Sequence, residues 1–163
     1  MISLSAATLA GSELDCLYSI CASQADYWRV SGDLDPGTMT RAGVEAILRD
    51  EATAEGSETL VARDEDGVIV GFAELLLQHP IDGHPWIGLL IVDSRQSRQG
   101  HGRAIVTAIE ERFHRMGATA LRLGVLTSNE PALLFWQALG YRQIDLRPDL
   151  AKGRPTRVME KAV

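Results

Sequence analysis

The stretch IGLLIVDSRQSRQGHGRA, residues 87–104, decides the fold. It begins with an apolar run, 87–92, whose nearly continuous hydrophobicity predicts a β-strand covered on both faces. A polar loop with Gly100 and Gly102 follows, and apolar side chains then recur at helical spacing over residues 102–116. We therefore predict a buried strand, a glycine-rich loop and a long amphipathic helix in direct succession.

This junction predicts a site for a phosphate-bearing ligand. The first N–H groups of a helix have no intrahelical partner, and the helix dipole adds partial positive charge. Glycines let the backbone approach an anion closely, and Arg98 and Arg103 add charge at the rim. A dinucleotide fingerprint needs a small residue where Ile105 stands, and a P-loop needs lysine and a hydroxyl residue after Gly102. A glycine turn that merely starts the helix is the structural alternative.

The rest of the chain predicts one α/β domain, residues 1–163, with a mixed sheet and no repeat or linker. Strand patterns lie at 2–4, 60–62, 68–77, 86–92, 121–125, 142–146 and 156–161. Helices are predicted after Ser12, which begins a capping-box-like Ser-x-x-Asp, after Thr40 and after Asn129. The short apolar start of the chain is expected to be an edge strand.

Composition excludes several classes of protein. A net charge of −6 argues against nucleic-acid binding through phosphate neutralisation. No apolar run is long enough for a membrane span, and no signal peptide is visible, so a cytoplasmic location is expected. Cys16 and Cys21 match neither a disulfide framework nor a metal motif, and no metal is expected.

Two motifs resemble those of the GNAT acetyltransferase superfamily. The family motif Arg/Gln-x-x-Gly-x-Gly/Ala corresponds to residues 97–102, and the preceding strand ends in Val92-Asp93 at the family's distance. Downstream, NEPALLFWQALGY (129–141) resembles the family's Asn-x-x-Ala…Tyr…Gly-Phe helix. The resemblance covers residues 59–146 well, and the N-terminal helices only by length and order.

The resemblance implies a mixed, twisted sheet of six to seven strands flanked by about four helices. It also implies acetyl-CoA as co-substrate, with its pyrophosphate on loop 98–103 and its pantetheine arm along the strand before it. The implied contacts are the backbone of Leu90, Ile91 and Val92, the loop residues Arg98, Gln99, Gly100, His101, Gly102 and Arg103, and the side chains of Asn129 and Trp136. An N–H group of that strand, assigned to Ile91, would polarise the thioester carbonyl.

Two positions depart from the family pattern. Ser97 stands where Arg or Gln is usual, and Arg98 replaces a frequent glycine and is a candidate to compensate. Trp136 stands where many members place the tyrosine that protonates the leaving thiolate. Because an indole N–H is not a usable acid at neutral pH, packing between helix and sheet is the favoured interpretation of Trp136.

No sequence motif identifies the residues that would bind and activate the acceptor amine. Glu74, within an apolar strand, is the first candidate for the general base, with an outward-facing strand residue as the alternative. Aromatic and acidic residues over 27–35 are candidates for a cation pocket or else a helix end and a solvated loop: Tyr27, Trp28, Asp33 and Asp35. A polar loop is favoured over a metal site for His79, Asp82 and His84.

The sequence therefore predicts an N-acetyltransferase that moves acetyl from acetyl-CoA directly to a primary amine of a small molecule or peptide. A non-catalytic acyl-CoA-binding or regulatory module is the alternative, and a nucleotide-dependent enzyme is a more distant one. A homodimer is left open. Acidic residues near the expected cleft, Asp33, Asp35 and Asp82, predict a cationic acceptor whose rate falls with added salt.

Overall fold

Seven strands form a single sheet in a computed structural model that describes residues 1–163. The strands are β1 (Ser3–Ala6), β2 (Ser57–Arg63), β3 (Ile69–Leu76), β4 (Trp86–Val92), β5 (Ala120–Leu126), β6 (Arg142–Pro148) and β7 (Pro155–Ala162). The helices are α1 (Gly11–Ser23), α2 (Ala25–Ser31), α3 (Arg41–Glu51), α4 (His101–Arg115) and α5 (Glu130–Ala138). The predicted α/β fold with a mixed sheet is confirmed, with five helices rather than about four.

The strands lie in the order β1-β2-β3-β4-β5-β7-β6, and only the β4–β5 pair is parallel. A hairpin joins β2 to β3, and β3 pairs with β4 in an antiparallel ladder. The connection from β4 to β5 runs through a short 3-10 helix, residues 94–96, and then α4. The predicted strand–loop–helix junction therefore lies in the middle of the sheet.

Apolar side chains cover both faces of the sheet because successive residues of a strand point to opposite sides. On one face, Ile105, Ile109 and Phe113 of α4 pack with Trp136 of α5 in a core cluster. On the other face, α1, α2 and α3 pack against side chains such as Phe72 of β3. The sheet is thus buried on both sides along β3 and β4.

Helix starts differ in part from the sequence predictions. Thr40 caps α3 as predicted, since its Oγ1 accepts a hydrogen bond from the Gly43 N–H at 3.0 Å. The predicted capping box at Ser12 is wrong: α1 begins at Gly11 with no side-chain cap. Glu13 instead accepts hydrogen bonds from the N–H groups of Thr8 and Leu9, which precede the helix. None of the five helices has the length and apolar composition needed to cross a membrane.

Candidate active site

The parallel strands β4 and β5 separate soon after they start. Their register contains only two pairs, Trp86 with Arg122 and Ile87 with Leu123. Beyond Ile87 the edge of β4 that faces β5 makes no ladder hydrogen bonds, although β4 stays paired to β3 on its other edge as far as Val92. The result is a notch between two parallel strands, with unpaired backbone groups along its β4 side.

The ladder shows which N–H groups of β4 face the notch. The Asp93 N–H donates to the Val70 carbonyl of β3 at 2.9 Å. Residues opposite each other in an antiparallel pair alternate between hydrogen-bonded and non-bonded, so the Ile91 N–H also points to β3. The groups that face the notch are those of Leu90 and Val92. This differs from the sequence expectation, in which Ile91 supplied the N–H that polarises a thioester.

Helix α1 is fastened to the end of β4 beside the notch. The Gln24 side-chain amide donates to the Val92 carbonyl at 2.6 Å. The Ser94 N–H donates to Ser23 Oγ at 3.1 Å, and Ser94 Oγ donates to the Ser23 carbonyl at 2.6 Å. These three hydrogen bonds hold the last residue of β4 in place where the chain turns towards the loop.

The glycine-rich loop ends at the N-terminus of α4. Gly100 occupies the N-cap position with φ of 76°, in the left-handed region that favours glycine. The first backbone N–H within α4 to find a partner is that of Ala104, which donates to the Gly100 carbonyl. The N–H groups of His101, Gly102 and Arg103 therefore have no intrahelical acceptor and carry the positive end of the helix dipole.

Side chains of this loop add to its suitability for an anion. Arg98 and Arg103 are exposed and have no ion-pair partner, while Nε2 of His101 is buried without a hydrogen bond. Gly102 is tightly packed: a Cβ there would lie 3.2 Å from the Phe135 ring. Pyrophosphate fits this set of unpaired donors and free guanidinium groups, and Gln99 lies exposed within it.

Two predicted residues belong to α5 and its N-cap. Asn129 caps α5, its Oδ1 accepting from the Ala132 N–H at 3.2 Å, which leaves its amide NH2 without a partner. Trp136 is only 7% exposed and makes edge-to-face contacts with Phe135 and Tyr141 at ring distances of 4.9 and 5.2 Å. Those contacts are what the packing interpretation of Trp136 requires.

A cavity of about 340 Å³ opens beside the notch. Gly88 and Leu89 of β4 and Gly124 of β5 form the side of the cavity that borders the notch. Tyr27, Trp28, Asp33 and Glu74 also line it. The structure therefore brings the general-base candidate Glu74 together with Tyr27, Trp28 and Asp33, whereas the predicted Asp35 and Asp82 are not among the lining residues.

Glu74 is the unusual group of this cavity. It lies opposite Leu89 in the β3–β4 ladder, and its Oε1 is buried without a hydrogen-bond partner. Burial, together with the negative charge of Glu51 at the end of α3, raises the pKa of Glu74 to about 8. A carboxyl group with such a pKa gains and loses its proton near neutral pH, which suits general acid–base chemistry.

The loop between β3 and β4 is ordered by Asp82. This carboxylate accepts hydrogen bonds from the His84 N–H and Trp86 Nε1, and forms ion pairs with Arg122 and Arg147. Burial opposes ionisation of Asp82, but these hydrogen bonds lower its pKa to about 2. Arginines of β5 and β6 thus neutralise Asp82, which is not free to attract a cation as the sequence predicted.

His79 is part of the same arrangement. Its ring stacks on Trp86 with centroids 4.2 Å apart, and its Nδ1 accepts from the Ile81 N–H. Burial lowers the pKa of His79, despite the nearby Asp82. These contacts fix the loop against β4.

The hairpin between β6 and β7 closes one end of the cavity. Arg154 donates to the Ser31 carbonyl at the end of α2 and forms ion pairs with Asp33 and Asp149. Lys152 also pairs with Asp33 at 3.0 Å. Asp33, predicted to attract the acceptor, is therefore already neutralised.

Three residues at the candidate site are not marked in the sequence: Gln24, Glu51 and Arg154. Glu51 lines the cavity, Gln24 binds the end of β4, and Arg154 joins α2 to the β6–β7 hairpin. Each acts on residues far away in the chain, so no local pattern in the sequence marks it.

Comparisons with known proteins agree with this geometry. The statistical description of the Acetyltransferase (GNAT) family matches residues 18–141. Mycothiol acetyltransferase of Kineococcus radiotolerans is 38% identical over 79 residues, which are 48% of this chain. The match spans only 25% of that longer relative.

Solved structures extend the similarity to the whole fold. An acetyltransferase from Thermus thermophilus aligns with a TM-score of 0.76 and 19% identity, over 100% of this chain and 97% of its own. Spermidine N-acetyltransferase from Vibrio cholerae, in complex with CoA and spermine, aligns with a TM-score of 0.70 and 14% identity, over 99% and 95%. The fold is that of an acetyltransferase domain. This chain belongs to the GNAT acetyltransferase family.

Proposed function

We propose that this protein transfers the acetyl group of acetyl-CoA to a primary amine of a small molecule or peptide, by direct attack within a ternary complex. The observation that carries the proposal is the position of Glu74. This buried carboxyl group lies opposite Leu89 in the β3–β4 ladder, one residue before Leu90, whose N–H faces the notch. A proton acceptor and an N–H donor thus lie on neighbouring strands, with the cavity beside them.

Acetyl-CoA would occupy the notch and the glycine-rich loop. The pyrophosphate would bind the free N–H groups of residues 101–103 and the side chains of Arg98 and Arg103. The pantetheine arm would run along the open edge of β4 and reach the free amide of Asn129. The N–H of Leu90, rather than that of Ile91, would then polarise the thioester carbonyl.

The proposed reaction requires one base and no covalent enzyme intermediate. The amine nitrogen forms a bond to the thioester carbon, and the carbon–sulfur bond breaks to release the CoA thiolate. Glu74, in its carboxylate form, takes the proton lost by the amine. Solvent protonates the thiolate, which needs little help because a simple thiol has a pKa of about 8.5.

The state of Cys21 supports direct attack rather than an acyl-enzyme. Its thiol is buried, and burial together with the charge of Glu74 raises its pKa to about 12. A thiol with this pKa is almost entirely protonated at neutral pH and is a poor nucleophile. The buried cysteine beside the cavity therefore does not compete with the amine.

Calorimetric titration of CoA tests the assignment of the phosphate site. Replacing both Arg98 and Arg103 by alanine should weaken CoA binding by about tenfold or more, because charge-assisted contacts to phosphate are lost. The salt dependence of binding should also become shallower. The matched control is Arg115→Ala, at the other end of α4, which should bind CoA like the wild type. Wild-type affinity in the double variant would place the pyrophosphate elsewhere.

The non-catalytic acyl-CoA-binding module remains the second candidate. The observation that favours it is Trp136, which stands at the position of the family's proton-donating tyrosine and offers no acid. Both candidates predict CoA binding, so the calorimetric experiment does not separate them. Amine-dependent turnover does, and only the enzyme predicts it.

A further inference from the structure

Some of the charged residues that line the cavity form ion pairs with other side chains, and others do not. Asp33 and Asp149 both pair with Arg154, and Arg147 pairs with Asp82. Glu58 pairs with Arg112 of α4. These lining residues contribute little net attraction for a ligand, because each already has an opposite charge in contact.

Two lining carboxyl groups have no such partner. The side chains of Glu51 and Glu74 form no ion pair, and Oε1 of Glu74 is fully buried without a hydrogen bond. The aromatic rings of Tyr27 and Trp28 lie in the same cavity wall. Carboxyl groups without an ionic partner, beside aromatic residues in one cavity, suit the binding of ammonium groups.

Glu51 and Glu74 line the same cavity, and the negative charge of Glu51 repels a negative charge on Glu74. Burial and the charge of Glu51 raise the pKa of Glu74, and burial, Asp50 and Asp33 raise the pKa of Glu51. The titratable groups that interact with Glu74 from other elements are Cys21 of α1, Tyr27 of α2 and Glu51 of α3. Tyr27 in turn interacts with Asp33 and Arg154. A cation between Glu51 and Glu74 would remove this repulsion.

We propose that Glu51 determines acceptor specificity by binding a second ammonium group of the acceptor, so that diamines and amines with another cationic group are preferred. This inference rests on the proposed function. The reacting nitrogen must be uncharged when it attacks, and Glu74 takes its proton beside β4. Because the reacting nitrogen is uncharged, it does not supply a positive charge for Glu51 at the end of α3. A second ammonium supplies that charge and favours the carboxylate form of Glu74 that acts as base.

Two probes that differ in one group test the proposal. 1,4-Diaminobutane carries a second ammonium, and 4-aminobutan-1-ol carries a hydroxyl group in its place. The wild type should have a kcat/KM about tenfold or more higher for the diamine, the factor expected for one charged hydrogen bond. Measured at a pH above the pKa of Glu74, Glu51→Gln should lose that preference, through a lower kcat/KM for the diamine and a nearly unchanged value for the amino alcohol.

The matched control is Glu55→Gln, an exposed glutamate in the turn after α3 that does not line the cavity. It should keep the wild-type preference for the diamine. If it lost the preference as Glu51→Gln does, general surface charge and not a defined site would explain the selectivity, and the proposal would be wrong.

A pH profile separates a role in specificity from a merely structural one. With the amino alcohol as acceptor, kcat/KM should rise with pH as Glu74 ionises. Because Glu51 contributes to the raised pKa of Glu74, Glu51→Gln should move this rise to lower pH. An unmoved profile would contradict the proposed contact between the two carboxyl groups.

These experiments distinguish failure of the proposed acetyltransferase function from failure of the proposed role of Glu51. Absence of acetylation with every amine tested would overturn the proposed function and this inference with it. Equal efficiency with both probes in the wild type would overturn only the role of Glu51. If other amines were acetylated but neither probe was, the role of Glu51 would likewise be overturned and the proposed function would stand.

Discussion

At the scale of single residues, Glu74 links the site to the stability of the fold. Burial and Glu51 raise its pKa from 4.5 to about 8. Below pH 4.5 the carboxyl group is protonated in both the folded and the unfolded chain. Between these two values it ionises only in the unfolded chain, so the free energy of unfolding falls as pH rises.

Glu74→Gln should therefore stabilise the protein in a pH-dependent way. Glutamine stays neutral, so the variant avoids the cost of ionising a buried carboxyl group. The difference in Tm, variant minus wild type, should be small at pH 4.5 and should grow steadily up to about pH 8. Thermal melts across this range measure it, with exposed Glu55→Gln as a control whose difference stays flat. A constant difference for Glu74→Gln would show that its pKa is not raised.

An experiment can decide whether Trp136 is a packing residue or a catalytic proton donor. The indole lies in the core against Phe135 and Tyr141. Trp136→Phe should lower stability by about 1–3 kcal/mol, since it leaves a cavity, yet change kcat less than tenfold. Thermal melts and steady-state kinetics on one acceptor provide both values. A collapse of kcat in a variant with a native melting curve would make the indole a catalytic donor.

At the scale of elements, the contact between α4 and α5 determines what a change in the glycine loop does. A side chain at Gly102 would meet both the Phe135 ring and the space expected for pyrophosphate. The sequence motif indicates only that glycine lets an anion approach the backbone at this position. The structure adds a steric clash within the protein, so the two effects must be separated.

Gly102→Val should lower both Tm and CoA affinity, and Phe135→Leu in the same chain should recover part of Tm. CoA affinity should stay low in the double variant, because the branched side chain still blocks the backbone N–H groups. Calorimetry and thermal melts on wild type, both single variants and the double variant measure this. Wild-type CoA affinity in a folded Gly102→Val protein would show that the cradle is not at this loop.

At the scale of the whole molecule, the sequence predicted those strands and helices whose apolar pattern follows directly from their burial. The strand at 86–92 and the helix that follows Gly100 were predictable because their apolar patterns reflect cover by both helix layers. Gln24 and Glu51 were not predictable. Gln24 binds a carbonyl group 68 residues away, and the effect of Glu51 on Glu74 depends on how α3 packs against the sheet. No local periodicity records such contacts.

The errors have the same physical origin. The capping box failed because Glu13 serves the backbone before α1 rather than the helix itself. Asp33 and Asp82 resembled free acceptor-binding charges in the sequence, but arginines from β5, β6 and the β6–β7 hairpin neutralise them. A count of acidic residues in the sequence therefore does not show which carboxyl groups lack an ion-pair partner in the cavity. The lining carboxyl groups without an ion-pair partner are those of Glu51 and Glu74.

The most direct test of the account is amine-dependent release of CoA from acetyl-CoA, followed with a thiol reagent across a panel of primary amines. The product amine is analysed by mass spectrometry for one added acetyl group. The account predicts turnover with at least one amine, and double-reciprocal plots that intersect because both substrates bind before reaction. CoA binding without amine-dependent release from the wild type would contradict it and identify a non-catalytic acyl-CoA-binding module.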